Sequence, residues 1–331
     1  MAGSRALRRL QFGVEATSGT PVASTFIWRG MGVIKDNRDI TFPEEDVGIL
    51  GGTDRSYVAR KFSELAMPSV EATFEQLPYI FEAGIAAEVA TQDGTGSGYI
   101  YEYLAPTTAQ NTVNTYTIEG GDDEQAEEFD YAFVKHFNLS GDGQGALFLS
   151  ADWTGREASD TTFTGALSVT TVEEILVNSA SLFIDDSGGT VGSTAVSNTM
   201  FGIDLDWTTG LQEYWAVDGS LDFSLIKFTS DDIVLTMTYE HNTSAVAEKA
   251  KYRAGDTRLV RLLFEGADLA TSGVYSKKTL QIDLAGVYED WSALEDQDGN
   301  DVITATLRCR YSSTDALKAE ATVVNELSVL P

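Results

Sequence analysis

The sequence predicts a mainly β fold made of two tandem similar domains, and three observations lead to that prediction. Many segments alternate apolar and polar residues, as strands with one buried side do. Only two segments have the spacing of an amphipathic helix, and glycine-rich turns separate many of the alternating segments. At 331 residues, the chain is long enough for two domains that each contain a core.

The segment 69–89 changes period in its middle and is the clearest organising element. Its first part alternates between Val70, Ala72 and Phe74 on an apolar side and Glu71, Thr73 and Glu75 on a polar side. Pro78 then falls where the first turn of a helix tolerates proline. An apolar stripe at helical spacing follows, with Glu82 predicted to lie off it. A strand therefore leads directly into a single helix.

The same order occurs again in the second half. Residues 233–239 alternate, and the helix-compatible residues 243–252 follow them, with Asn242, Thr243 and Ser244 as capping candidates. Both halves then carry a similar pentapeptide in a predicted strand, at 137–141 and at 282–286. The pentapeptide alone is short enough to recur by chance, but its place in the same order predicts an internal duplication.

The predicted organisation is an arm followed by two domains. Residues 1–23 are predicted to form an extended arm, 24–170 the first domain and 171–331 the second, with the boundary in a polar, threonine-rich segment. Residues 35–54 are predicted to form a long loop, which is unusual inside a compact domain unless it is functional. Further strands are predicted at 25–34, 57–75, 99–104, 113–118, 129–139, 146–153, 181–184, 200–207, 220–228, 259–264, 279–284, 302–309 and 321–324.

The chain is strongly acidic, with a formal net charge of -29 from 22 Lys and Arg against 51 Asp and Glu. Such a surface repels nucleic acid and anionic membranes. The charge either only solvates the protein or lines a passage whose contents must not adhere. One cysteine and two histidines exclude an intrachain disulfide and a Cys/His zinc site of the usual count. With no apolar run of membrane-helix length and no secretory signal pattern, we expect synthesis in a cytoplasm and no membrane partner.

The motifs that resemble sites are better explained as turns. The glycine-rich residues 94–98 and 141–145 lack phosphate-loop spacing, so hairpin turns are predicted. Residues 296–301, Asp-Gln-Asp-Gly-Asn-Asp, resemble the front of a calcium loop without its distal glutamate, and a turn is favoured over a metal site. The acidic clusters 44–46 and 122–128 lack the opposed arrangement that a glycosidase needs. No enzymatic activity and no cofactor are predicted.

Residues 12–23, Phe-Gly-Val-Glu-Ala-Thr-Ser-Gly-Thr-Pro-Val-Ala, resemble the opening of the tail tube proteins of long, non-contractile-tailed bacteriophages (siphophages). Residues 320–327 resemble the closing strand of that family, and the helix after a long strand and the strand at 137–141 extend the resemblance between the two ends. The simplest members carry one tube domain per chain and form hexameric rings. A double domain is similar to the fused type, which implies a ring of three chains with pseudo-sixfold symmetry, with a hexamer as the alternative.

The resemblance implies a structural virion protein of the phage tail that self-assembles into stacked rings and conducts DNA. It implies that the sheets assemble into an intermolecular β-barrel, and that the partners are other copies, a tape measure protein and a tail terminator or distal tail protein. DNA would pass through the lumen without specific binding. The residues predicted to face the lumen are Glu71, Thr73 and Glu75, with Thr236, Thr238 and Glu240 as their repeat equivalents, and the residues behind them, Val70, Ala72, Phe74, Leu235, Met237 and Tyr239, are predicted to be core. The candidates for contacts between stacked rings are Phe12, Glu15, Pro21, Asp36, Arg38, Glu44, Glu45 and Asp46.

Two other interpretations stay open at this point. A β-rich adhesion module that binds a host polysaccharide would have a groove with several exposed tyrosines and tryptophans, and would be a monomer or simple trimer. An acidic hydrolase would need a carboxylate pair in a pocket.

Overall fold

The computed structural model describes residues 3–52 and 54–330, and within them the chain forms the predicted mainly β fold, with twenty strands and two α-helices. The helices are α1 (Leu77–Gly84) and α2 (Thr243–Ala254). The strands of the first half are β1 (Arg9–Val14), β2 (Phe26–Ile27), β3 (Val33–Thr41), β4 (Tyr57–Glu71), β5 (Thr91–Gln92), β6 (Tyr99–Leu104), β7 (Tyr116–Gly121), β8 (Ala126–Asp142), β9 (Phe148–Gly155) and β10 (Ser159–Thr161). Those of the second half are β11 (Ala180–Asp186), β12 (Met200–Thr208), β13 (Leu211–Tyr214), β14 (Leu225–Phe228), β15 (Asp232–Glu240), β16 (Arg258–Asp268), β17 (Lys277–Trp291), β18 (Glu295–Gln297), β19 (Asn300–Cys309) and β20 (Ala319–Asn325).

The two halves repeat one plan of antiparallel strand pairing. In the first half β1 pairs with β7, β7 with β8, β8 with β9 and β10, and β4 with β3 and β9. In the second half β11 pairs with β16, β16 with β17, β17 with β19 and β20, and β15 with β12 and β19. A helix follows the corresponding strand in each half, α1 after β4 and α2 after β15. The strand plan therefore supports the predicted duplication.

The long strands β8 and β17 each change pairing partners along their length. The first part of β8 pairs with β7 and its last part pairs with β9. Likewise, the first part of β17 pairs with β16 and its last part pairs with β19. Each pairing with β9 or β19 contains an irregularity of one extra residue, at Lys135 in β8 and at Glu289 in β17. In the first half the space between the sheets is filled by aromatic rings, with Phe12 of β1 lying 5.5 Å from Trp153 of β9.

Counting outward from these two bulges identifies equivalent residues in the repeats. After the bulge in β8, His136 pairs with Asp152, and after the bulge in β17, Asp290 pairs with Thr306. His136 and Asp290 therefore occupy matching positions, as do Asp152 and Thr306. Continued across the next strands, the pairing makes the following residues equivalent: Leu65 and Leu235, Ile34 and Leu205, Lys35 and Asp206, Asp36 and Trp207, Phe137 and Trp291, and Asn138 and Ser292.

The pentapeptide that suggested the duplication is not an equivalent element. Residues 137–141 lie in the part of β8 that pairs with β9, whereas residues 282–286 lie mainly in the part of β17 that pairs with β16 and β20. Phe137 corresponds to Trp291, not to Ile282. The two pentapeptides match by chance, and the repetition lies in the strand plan.

The halves are joined by one continuous strand pairing, here called the domain junction. At the junction β12 pairs with the last part of β8, with Leu205 directly opposite Leu139, and both side chains are only 1% exposed. Trp207 stacks on Phe137 with ring centroids 5.3 Å apart. In addition, β6 pairs with β20, so residues 99–104 of the predicted first domain belong to a sheet of the second half.

Two segments that were predicted to be irregular are strands. The predicted arm contains β1, whose Phe12 is fully buried, so residues 9–14 are part of the fold. The predicted loop 35–54 begins as β3, which pairs with β4 from Val33 to Thr41. The predicted strand at 25–34 is reduced to β2 and the first two residues of β3. Pro68 lies at an irregularity in β4, because the β4–β9 register shifts between Met67 and Val70.

Both predicted helices are present. Pro78 lies in the first turn of α1, as predicted. All eight residues of α1 are buried, so the prediction that Glu82 lies off the buried side is wrong. None of the helices in the described residues is long and apolar enough to cross a membrane.

Helix α2 is capped by Asn242, the first of the three predicted candidates. The side chain of Asn242 accepts hydrogen bonds from the backbone N–H groups of Ser244, at 3.0 Å, and Ala245, at 3.1 Å. We expect Asn242→Ala to lower the free energy of unfolding by about 1 kcal/mol, because these N–H groups lose their acceptor. Urea unfolding followed by circular dichroism measures the loss. Asn242→Ser is the control, because serine retains an acceptor for the cap and, like alanine, lacks the amide group that donates to Asn198, Thr199 and Glu240. Equal losses in the two variants would contradict the capping role.

Candidate functional site

One sheet runs through both halves and presents one face away from the core. Within residues 3–52 and 54–330, eight strands of this sheet follow the order β3, β4, β9, β8, β12, β15, β19, β17. On β15 the predicted core residues Leu235, Met237 and Tyr239 are at most 1% exposed, which confirms their assignment. Thr236 and Thr238 alternate with them and point to the other side, here called the open face.

The predicted lumen-facing residues of the first half are only partly on the open face. Glu71 is the last residue of β4 and is exposed, and its pairing with Phe148 makes it the equivalent of Glu240. Thr73 and Glu75 lie beyond the strand and are only 4% and 6% exposed.

The buried positions of Thr73 and Glu75 have structural partners. The Thr73 hydroxyl accepts a hydrogen bond from the backbone N–H of Gln76 at 3.2 Å. The Glu75 carboxylate lies 2.6 Å from the ammonium of Lys278. Both residues help the chain to turn from β4 into α1, so their prediction as surface residues is wrong.

The centre of the open face is acidic, and sequence analysis did not identify these residues. Asp204 and Asp206 of β12 lie beside His136 and Asn138 of β8, and Asp152 of β9 lies on the other side of His136. The His136 ring nitrogens lie 2.9 Å from an Asp206 oxygen and 3.3 Å from an Asp152 oxygen, and Asn138 donates a hydrogen bond to Asp204. The alternation of Asp204 and Asp206 with Leu205 and Trp207 is the sequence pattern that could have placed these aspartates on the open face.

The cations of the open face are already paired with carboxylates. Lys35 lies 3.6 Å from Glu64, and Arg308 contacts both Asp232 and Glu289. Hydroxyl groups complete the face, with the Thr236 and Thr306 oxygens 3.5 Å apart. The arrangement presents carboxylates and hydroxyls to solvent and disfavours phosphate binding.

The acidic segment 296–301 forms the β18–β19 hairpin, as the predicted turn requires. Asp298 and Gly299 have φ values of 55° and 85°, which belong to a tight turn between paired strands. The described residues contain no group of three or more His, Cys, Asp or Glu side chains that could hold a metal ion.

The candidates for contacts between rings divide into two sets. Phe12 is core, and the buried Glu15 accepts hydrogen bonds from the Thr115 hydroxyl at 2.7 Å and the Tyr131 backbone N–H at 2.8 Å, so neither residue offers a contact surface. The exposed or half-exposed candidates are Pro21, Asp36, Arg38, Glu44, Glu45 and Asp46. The β3–β4 connection also exposes apolar side chains that were not predicted: Phe42, Val47, Ile49 and Leu50.

The continuous sheet ends in two open edges. Among the described residues, β3 pairs on one side only, with β4. Residues 287–291 of β17 likewise pair, within the described ranges, only with β19. Both edges have backbone groups available for another strand.

Comparison of the sequence with protein-family models and with curated proteins found no match.

Proposed function

We propose that this chain is a tail tube protein of a long, non-contractile-tailed phage, a structural virion protein that assembles into stacked rings and forms a conduit for DNA. The observation that carries the proposal is the single sheet that spans both halves, with an acidic open face and, in the described part of the chain, an unpaired edge at each end.

Two open edges on one sheet favour head-to-tail association. An unpaired edge is a template for another strand, and pairing it with the next copy removes the exposed edge. A heterologous contact of this kind closes into a ring when its rotation allows. Three copies would supply six similar units and close an intermolecular barrel with the open face inside.

The acidic open face suits a passage for DNA. Carboxylates such as Asp152, Asp204 and Asp206 repel phosphates within a Debye length of about 8 Å at physiological salt. DNA would therefore pass through the lumen without adhering to the wall. The exposed apolar side chains of the β3–β4 connection, Phe42, Val47, Ile49 and Leu50, would contact the next ring in the stack.

The aromatic side chains give less support to a polysaccharide-binding module. Four of the five tryptophans are at most 8% exposed. The exposed tyrosines Tyr57, Tyr214 and Tyr311 lie on separate elements rather than along one groove.

A tape measure protein and a tail terminator or distal tail protein would be the partners in the virion.

Electron microscopy of concentrated protein, combined with DNA retention on sedimented tubes, tests this function. We expect rings and tubes that retain no duplex DNA at about 0.15 M salt. Tubes that carry Asp152→Lys, Asp204→Lys and Asp206→Lys should retain DNA, and the retention should fall as salt rises.

The control carries the same change in charge outside the open face, as Glu88→Lys, Asp123→Lys and Asp268→Lys. Failure of the wild-type chain to form rings, or equal DNA retention in both triple variants, would contradict the proposed conduit.

A further inference from the structure

We propose that the domain junction is the template for the contact between neighbouring copies: β3 of one chain pairs antiparallel with residues 287–295 of the next, in the register of the β12–β8 pairing. This inference rests on the proposed function and assigns the partner surface and its register. The repeat plan supplies it, because β3 is the equivalent of β12 and β17 is the equivalent of β8.

The register follows from the junction residue by residue. At the junction Asp206 lies opposite Asn138, and Thr208 lies opposite His136. Replacing each by its repeat equivalent places Lys35 opposite Ser292 and Asn37 opposite Asp290. The position of Ser292 is supported from its other side, because its N–H donates to the Thr304 carbonyl oxygen at 2.9 Å, continuing the β17–β19 register.

Charge complementarity supports this register. At the junction Asp206 contacts His136 across the two strands. Their equivalents at the open edges are Lys35 and Asp290, so the acidic and basic positions are exchanged relative to the junction. The Lys35 ammonium, which lies 3.6 Å from Glu64 in the single chain, would lie between Glu64 and the Asp290 carboxylate of the neighbouring copy. Both side chains are exposed in the single chain.

The apolar side of the two edges also matches. The junction buries Leu139 against Leu205. The equivalent of Leu205 is the half-exposed Ile34, and Ala293 and Leu294 together occupy the position of Leu139, because the chain contains one extra residue between Ser292 and Glu295. Leu294 is 53% exposed in the single chain, so the contact would bury it as Leu139 is buried.

A cleft is available for that side chain. A cleft of about 310 Å³ has an apolar part formed by Gly32, Val33, Ile34 and Gly120, and a polar part that includes Arg8, Asp122 and Glu127. In the transferred register, Leu294 of the neighbouring copy would lie beside Ile34, at the apolar part of this cleft. Burial of a leucine side chain contributes to association in the same way as it does to folding.

An unsatisfied polar atom points to the same contact. The Trp291 indole Nε1 is buried and has no hydrogen-bond partner in the part of the chain that is described. The transferred register places Asp36 of the neighbouring copy opposite Trp291, with both side chains on the core side of the sheet. An Asp36 carboxylate oxygen would accept the indole hydrogen bond, which removes the cost of the unpaired donor.

A charge exchange tests the pairing. Lys35→Asp and Asp290→Lys, each alone, should reduce the fraction of sedimentable tubes about tenfold or more, because like charges then lie diagonally next to each other across the strands. The double variant should restore assembly. Lys277→Asp with Asp268→Lys exchanges a comparable cross-strand pair within one chain and should leave assembly unchanged.

A cysteine pair measures the register directly. Asn37→Cys and Asp290→Cys in a Cys309→Ala background should form disulfides between chains in oxidised tubes, whereas Asp39→Cys with Asp290→Cys, two residues out of register, should not. Thermal melting first establishes that each variant is folded. The pairing would be wrong, and the conduit would stand, if the wild-type protein forms tubes but the charge exchange does not restore assembly and no cross-link forms between positions 37 and 290. If the wild-type protein forms no rings at all, the proposed function itself would be wrong.

Discussion

Replacing Glu82 by glutamine is expected to remove a large part of the dependence of stability on pH between about pH 4.5 and about pH 7. Glu82 lies on the buried helix α1, 4% exposed, and burial raises the pKa of its carboxyl group from 4.5 to about 7. Asn114 and Tyr116 donate hydrogen bonds to it at 2.7 and 3.3 Å and oppose part of that rise.

The direction in which stability changes with pH follows from proton binding by Glu82. The folded chain holds the Glu82 proton more tightly than the unfolded chain does, so the associated stability is fully present below about pH 4.5 and is lost as the pH rises to about 7. At about 1.4 kcal/mol per pKa unit, the loss is on the order of 3 kcal/mol. Glutamine stays neutral, so the Glu82→Gln variant should be more stable than the wild type at pH 8 and show a flatter profile.

Urea unfolding at a series of pH values measures the difference between the two chains. Burial also raises the pKa of Asp130, to about 6, but this carboxyl group is present in both chains and its contribution cancels in the comparison. The exposed Glu44→Gln is the control and should leave the profile unchanged. Parallel wild-type and Glu82→Gln profiles would show that Glu82 does not titrate in this range.

Leu205→Ala is expected to lower the free energy of unfolding by about 2 to 5 kcal/mol, because it leaves a cavity at the domain junction. Leu205 is 1% exposed and lies opposite Leu139. Its repeat equivalent Ile34 is half-exposed at the open edge of β3. Ile34→Ala should therefore cost the unassembled chain about 1 kcal/mol and act mainly on assembly.

The pair of variants separates folding from association. Urea unfolding of dilute, unassembled protein gives the free energy of unfolding, and sedimentation of concentrated protein gives the fraction that assembles. Equal losses of stability in Leu205→Ala and Ile34→Ala, with unchanged assembly in Ile34→Ala, would show that these positions are not equivalent halves of a repeated contact.

The sequence predicted the elements whose patterns are local. The change of period before α1, the Asn242 cap of α2 and the two faces of β15 each depend on residues close together in the chain, and the structure contains all three. Strands β6 and β19 were also predicted close to their observed bounds, because their alternation is regular.

The elements that sequence analysis missed depend on distant partners. Strand β3 contains Lys-Asp-Asn-Arg-Asp and has the polarity of a loop, because one edge of it is open and little of it is buried. Strand β1 lies in a segment rich in Gly, Ser, Thr and Pro, and its pairing with β2 and β7 makes it a strand. Glu82 lies off the apolar stripe of α1 and was therefore predicted outside the core, but it is buried because α1 is covered on every side. The domain junction joins residues about 70 positions apart, which no local pattern reveals.

The most direct test is an electron microscopy reconstruction of the assembled protein at a resolution that traces strands. We expect rings of three chains in which each β3 lies beside residues 287–295 of its neighbour, Lys35 faces Ser292, and the carboxylates of Asp204 and Asp206 line the channel. A ring whose subunits meet away from these two edges, or whose acidic face points outward, would contradict the account.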